Sequence, residues 1–207
     1  MQKSLNNLDN WPVKGATKTK NKPFPVAIGT TSLPAGEVTL FKNLFDVTHP
    51  DYIMLTDVVS RIRNGNSKEL VTRIRQGEIH LKNALPCICI SGIFVRRDNS
   101  SLVKPSGLAV LDYGNLENVN SFKDHVCKNP YTLVAFISPS GKGLKVIVKI
   151  HGDHVEPYRK LSLYYPPEGL EMAEKIKKFN QAVNISRVTF ESWDPDIYFN
   201  PSSKVFQ

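Results

Sequence analysis

The sequence is short of cysteine and has no long apolar run, and each shortage closes off a class of protein. Only three of its 207 residues are cysteine: Cys87, Cys89 and Cys127. An odd number, two of them inside an apolar stretch, describes reduced and buried thiols rather than a disulfide framework. A zinc site would have to recruit His125 beside Cys127 together with the Cys87-x-Cys89 pair. That is not the spacing of a zinc knuckle, and a strand sends Cys87 and Cys89 to one face, too few ligands without help. No apolar run approaches the roughly 18 residues that span a bilayer, which excludes a membrane helix. The polar N-terminus lacks the apolar centre of a secretory signal. Together these shortages predict a cytoplasmic protein with no membrane partner.

Acidic residues are also scarce beside basic ones, 19 against 27, which leaves a formal net charge of +8. Such an excess favours an anionic partner, nucleic acid or nucleotide among them, and carries no information about fold. What remains is ordinary for a globular chain: 41% hydrophobic and 22% charged residues. The length sustains one sizeable core, and two full domains would be a squeeze.

Residues 1–36 read as a basic arm, loosely ordered, in which five lysines (Lys3, Lys14, Lys18, Lys20, Lys22) meet one acid, Asp9. It serves either as a lead-in or as a strap over nucleic acid. Residues 37–207 read as one domain. Glu37 to Lys42 predicts a first strand. Thr56 is placed to cap a helix carrying Val58, Val59 and Ile62 and ended by Asn64-Gly65, and Ser67 to cap a second, closed by Gly77. Pro86–Val95 reads as one buried strand, 107–113 as another, and 121–127 as a short helix. Tyr131–Ser138 and Leu144–Ile150 predict a hairpin around a Pro-Ser-Gly-Lys-Gly turn. Helical spacing returns over 154–165 and 168–182, and 187–191 closes with a strand. This order of elements suits an α+β fold.

Polar residues gather at three strand ends, where folds expose their working groups. Asp112 continues the apolar face of Leu108 and Val110, and burying a carboxylate there demands a cation or hydrogen bonds. It serves equally as a strand-ending Asp that bonds the following turn. In Ser138-Pro-Ser-Gly-Lys-Gly-Leu-Lys145 two glycines let backbone N–H groups approach an anion, and Ser140, Lys142 and Lys145 add donors and charge. It is not a P-loop, because Phe136 stands where a glycine is needed and Gly143 where Ser or Thr is needed. A plain lysine-bearing hairpin turn remains an equal reading. Asp194-Pro-Asp196 offers two close carboxylates of the kind that hold Mg²⁺, or else an acidic surface turn.

Taken in order, these pieces resemble the three motifs of the archaeo-eukaryotic primase superfamily. More closely, the chain is similar to the VirE N-terminal-type, primase–polymerase-like domains of bacterial mobile elements. The resemblance runs over about residues 37–202 through Val38-Thr-Leu-Phe-Lys-Asn, Leu85-Pro86, Ser91-Gly-Ile-Phe94, Ser106-Gly-Leu-Ala-Val-Leu-Asp112, Ser138–Lys145, Ser186-Arg-Val-Thr-Phe190 and Asp194-Pro-Asp-Ile-Tyr. It implies a mixed β-sheet with an RNA-recognition-like core and flanking helices. It also implies Mg²⁺ or Mn²⁺ held by Asp112 and Asp194, with Asp196 as close substitute. Ser140 and Lys145 would contact the phosphates of a nucleoside triphosphate, with Lys142 and Arg187 in reach of the same anion. The implied role is DNA priming or extension on a DNA or RNA template, with a helicase as associated partner. Two departures stand out: Gly114 occupies the place of the second carboxylate of the first motif, and Lys145 the place of a frequent histidine. Glu117 is a nearby carboxylate that would have to point inward to substitute. Losing one carboxylate weakens a two-cation centre, whose ions sit about 3.5–4 Å apart. The same residues therefore also fit a non-catalytic binding module of a replication or mobilisation complex.

Overall fold

The structure, a computed structural model, describes residues 36–151, 160–161, 164 and 184–207. The arm up to residue 35 and most of the two helical patterns over 154–182 lie outside the described residues. In chain order the elements are β1 (Glu37–Phe41), β2 (Asp51–Met54), α1 (Leu55–Asn64), α2 (Lys68–Arg75), β3 (Cys87–Cys89) and β4 (Gly92–Phe94). There follow β5 (Leu102–Pro105), β6 (Leu108–Tyr113), α3 (Val119–Cys127), β7 (Thr132–Ile137), β8 (Leu144–Ile150), β9 (Thr189–Phe190), β10 (Tyr198–Phe199) and β11 (Val205–Phe206). A 3₁₀ helix over Ile79–Ala84 precedes β3. The fold is mixed α+β, and no described helix is long and apolar enough to cross a membrane.

Among the described residues the strands form three sheets. One runs β2-β1-β3-β9, a second holds β10-β7-β8-β11 with β6 also paired to β8, and β4 pairs β5 alone. Pairing is antiparallel except where β11 lies parallel to β8. Side chains alternate across a strand, so the second sheet feeds two cores. Leu108, Phe136 and Ile147 point to one, where they meet Val38 and Leu40 of β1, Ile88 of β3 and Val58, Val59 and Ile62 of α1. Ala109, Leu111, Tyr113, Ala135, Leu144, Val146 and Val148 point to the other, which α3 covers with Val126. A register shift between Thr132 and Val134 lets the consecutive Leu133 and Val134 both join the first core, as a bulge permits.

Several local expectations change. The run 86–95 is not one strand: β3 and β4 belong to different sheets, broken at Ile90-Ser91. Gly92 sits so close to the backbone of β5 that a Cβ would collide with the Lys104 carbonyl oxygen. An apolar run alone cannot reveal such a close crossing. Thr56 does not cap α1. Met54 holds the N-cap position, its N–H donating to the Asp57 carboxylate at 3.2 Å, because the short β2 carries the chain directly into the helix. Gly65 ends α1 in the left-handed region, at φ 79°. Ser67 holds the N-cap position of α2, but its hydroxyl donates to Glu191 at 2.5 Å instead of capping.

Candidate anion site at the β7–β8 turn

The site is built on the central pair of the second sheet. In the antiparallel register of β6 and β8, Asp112 stands opposite Lys145. Residues directly opposite share a face, and here it is the face of Leu108, Phe136 and Ile147, the first core. A carboxylate and an ammonium thus continue an apolar layer to its rim. Lys145 Nζ lies against Asp112 Oδ2, and Arg187 Nη2 reaches the same oxygen at 3.2 Å. Lys145 is buried, while Asp112 and Arg187 are half-exposed. Burial pushes the Lys145 ammonium below the ordinary lysine range. The Asp112 carboxylate pulls it back, and the nearby cations Arg187 and Lys82 push it down again.

The turn after β7 flanks this pair. Ser138 N–H donates to Gly143 O at 2.8 Å and Gly141 N–H to Ser138 O at 2.9 Å. The Ser138 and Ser140 hydroxyls lie 3.1 Å apart. Lys142 is exposed, and its carbonyl accepts from Leu116 N at 2.9 Å, tying the turn to the segment after β6. A Cβ at Gly143 would collide with the Tyr113 carbonyl oxygen, so glycine is required there for close packing. A Cβ at Gly141 would meet Arg75 at 3.6 Å, which places the Arg75 side chain beside the turn. Arg75 Nη2 donates to Trp193 O at 2.9 Å, and burial lowers its pKa while the Asp194 carboxylate raises it.

Asp194 has a different environment. Its Oδ2 accepts from Lys123 Nζ and from Ile137 N–H, both at 2.8 Å, and its Oδ1 accepts from Asp196 N–H at 3.2 Å. Asp196 is exposed and gives its carbonyl oxygen to Lys123 Nζ at 2.8 Å. The structure therefore brings Asp112, Lys145 and Arg187 together next to the turn that carries Ser140, whereas Asp194 is drawn into a buried pair with α3. Among the described residues no group of three or more His, Cys, Asp or Glu is placed to hold a metal ion. The donor set does not suit a pair of hard cations as it stands. A cation at Asp112 would displace Lys145 and Arg187, and one at Asp194 would displace Lys123 and a backbone N–H.

Residue-by-residue reading of the sequence missed Arg75, Lys82 and Lys123. Arg75 sits in the last turn of α2, where a basic residue is unremarkable because it suits the helix dipole. Only the fold brings it to the turn. Lys123 is hidden by its place on an amphipathic helix, where a lysine reads as solvated.

Residues 80–199, more than half of the chain, match the family model described as BT4734-like, N-terminal domain. The match runs from the helical turn before β3 through β10 and includes every residue of the anion site except Arg75. The chain belongs to this family. No curated protein and no solved structure matches it.

Proposed function

We propose that this member of the BT4734-like, N-terminal domain family is a primase–polymerase-like domain that binds nucleoside triphosphate and nucleic acid in a replication or mobile-element apparatus. In this chain it acts as a binding module, holding phosphate with its own cations. One observation carries the reading. Lys145 and Arg187 converge on a single carboxylate oxygen beside a glycine-bearing turn with two hydroxyls and Arg75. Two cations around one oxygen anion, next to close-approach backbone, is the arrangement that phosphate recognition requires. The net charge of +8 supports a polyanionic partner, with a single-stranded template as the candidate.

Binding rather than catalysis is favoured because Gly114 stands beside Asp112, and both Asp112 and Asp194 are already engaged by cations. The test measures nucleoside triphosphate binding by calorimetry with EDTA and with Mg²⁺ or Mn²⁺, and primer extension on the same preparation. Binding without metal and no extension is the expected result. Extension by the unaltered chain would make it a nucleotidyltransferase, and no binding under any condition would end the reading.

A further inference from the structure

Among the described residues Asp112 is the carboxylate that pairs with Lys145 and Arg187, and its position is the one a ligand phosphate would take. Its Oδ2 is shared by Lys145 Nζ and Arg187 Nη2, so a single carboxylate charge is divided between two cations. The carboxylate is 32% exposed, whereas its lysine partner is only 9% exposed. The anion is thus the accessible member of the pair and the cation the fixed one. Beside it, a Cβ at Gly114 would meet nothing within 4 Å, which leaves open space next to the carboxylate's strand.

Resting on the phosphate-binding reading above, we propose that Asp112 is an internal counter-ion that a phosphate group of the nucleotide displaces. The carboxylate turns out toward solvent beside Gly114, and a phosphate oxygen takes its place between Lys145 and Arg187. Asp112 then sets the affinity of the site by competition, so an incoming group needs more negative charge than one carboxylate. A triphosphate meets that condition and a nucleoside does not. The exchange also explains why the buried Lys145 is tolerated while the site is empty: an unpaired buried charge is costly, and Asp112 compensates it until a ligand does.

The proposal makes a prediction opposite to that of a metal-ligand role. With inorganic tripolyphosphate as probe and EDTA present, Asp112→Asn should tighten binding by about tenfold or more, since the neutral amide no longer competes for the two cations. Arg187→Gln should weaken it. A metal-holding Asp112 predicts no gain from Asp112→Asn in EDTA and a loss in Mn²⁺. The unaltered chain carries a second test that needs no substitution. On titration with tripolyphosphate the carboxyl ¹³C resonance of Asp112 should shift to that of a solvent-exposed aspartate. If the chain binds tripolyphosphate, Lys145→Met loses it and the Asp112 resonance stays fixed, the exchange is overturned and the binding function stands. If neither the chain nor Asp112→Asn binds tripolyphosphate or nucleotide, both readings fall.

Discussion

Lys123 of α3 donates to Asp194 across 2.8 Å in a pair whose side chains are 10% and 4% exposed. This contact fastens the helix to the segment that follows β9. Asp194 also accepts the Ile137 N–H, so one carboxylate joins α3, the end of β7 and the Asp-Pro-Asp turn. Asp194→Asn should leave Lys123 charged and unpaired in a buried place. The expected cost is about 3–5 kcal/mol, read from a urea or guanidinium midpoint. A carboxylate poised for a cation behaves in the opposite way, since neutralising it relieves repulsion. An unchanged or raised midpoint would return Asp194 to the role of a metal ligand.

Two neighbouring glycines should respond differently to a side chain. Gly143→Ala drives a methyl into the Tyr113 carbonyl oxygen and crowds Ser138 Oγ at 3.0 Å. It should lower stability by about 1–3 kcal/mol, as overpacking does, and weaken nucleotide binding by shifting the turn. Gly114 does not lie in the left-handed region, and a Cβ there meets nothing within 4 Å. Gly114→Asp should therefore fold with a melting midpoint close to that of the parent, and it places a second carboxylate two residues from Asp112. Mn²⁺ affinity measured by calorimetry should rise. A folded Gly114→Asp chain with unchanged Mn²⁺ affinity would show that this face does not take metal even with both carboxylates present.

How much of this was legible in the sequence depended on the range of the interaction. The hairpin of β7 and β8 was readable because alternation and turn glycines are local signals. The opposition of Asp112 and Lys145 was not, because register between β6 and β8 is set by core packing more than thirty residues away in the chain. The division of 86–95 into two sheets left no trace in composition. Its cause is the backbone of β5 crossing at Gly92. Glu191 shows the same limit. It falls at the end of the strand expected over 187–191, yet it is fully buried, accepting from Arg61 Nε and Ser67 Oγ at 2.5 Å each. No pattern in one segment announces partners that lie more than a hundred residues away.

The cysteines supply a prediction about pH. Burial pushes the Cys87 and Cys89 thiols up to about 12, with the Arg97 guanidinium drawing both down in part, and pushes Cys127 up to about 11. Their folded values lie above the ordinary 9.0. In the unfolded chain the thiols ionise first as pH rises, so the unfolded state loses protons the folded state keeps. Stability should be unaffected below about pH 8 and fall between about pH 9 and 12. Correspondingly, a thiol reagent at pH 8 should leave Cys87 and Cys89 of the native chain unlabelled over a time in which the denatured chain reacts at both. Fast labelling of native Cys87 or Cys89 would contradict their burial.

Arg75 gives a test of whether the turn itself touches phosphate. It lies beside Gly141, on a different element from Lys145 and Arg187, and its guanidinium is held to Trp193 O at 2.9 Å. If a nucleic-acid phosphate rests on the turn, Arg75 and the exposed Lys142 are the cations at its outer edge, and each neutralised phosphate releases counterions. The logarithm of the single-strand binding constant should then fall linearly with the logarithm of salt concentration. Arg75→Gln should flatten that slope by about 0.7, the amount expected for one lost single-strand phosphate contact. Lys142→Gln should do the same, and the double variant should lose about twice as much. Neither should alter tripolyphosphate binding at Lys145 and Arg187 by more than about threefold, since neither makes that contact. A slope unchanged in both variants would remove the turn from the nucleic-acid path and confine the site to the nucleotide. Equal losses of tripolyphosphate and single-strand binding would instead show that Arg75 shapes the turn, and that its effect on nucleic acid is indirect.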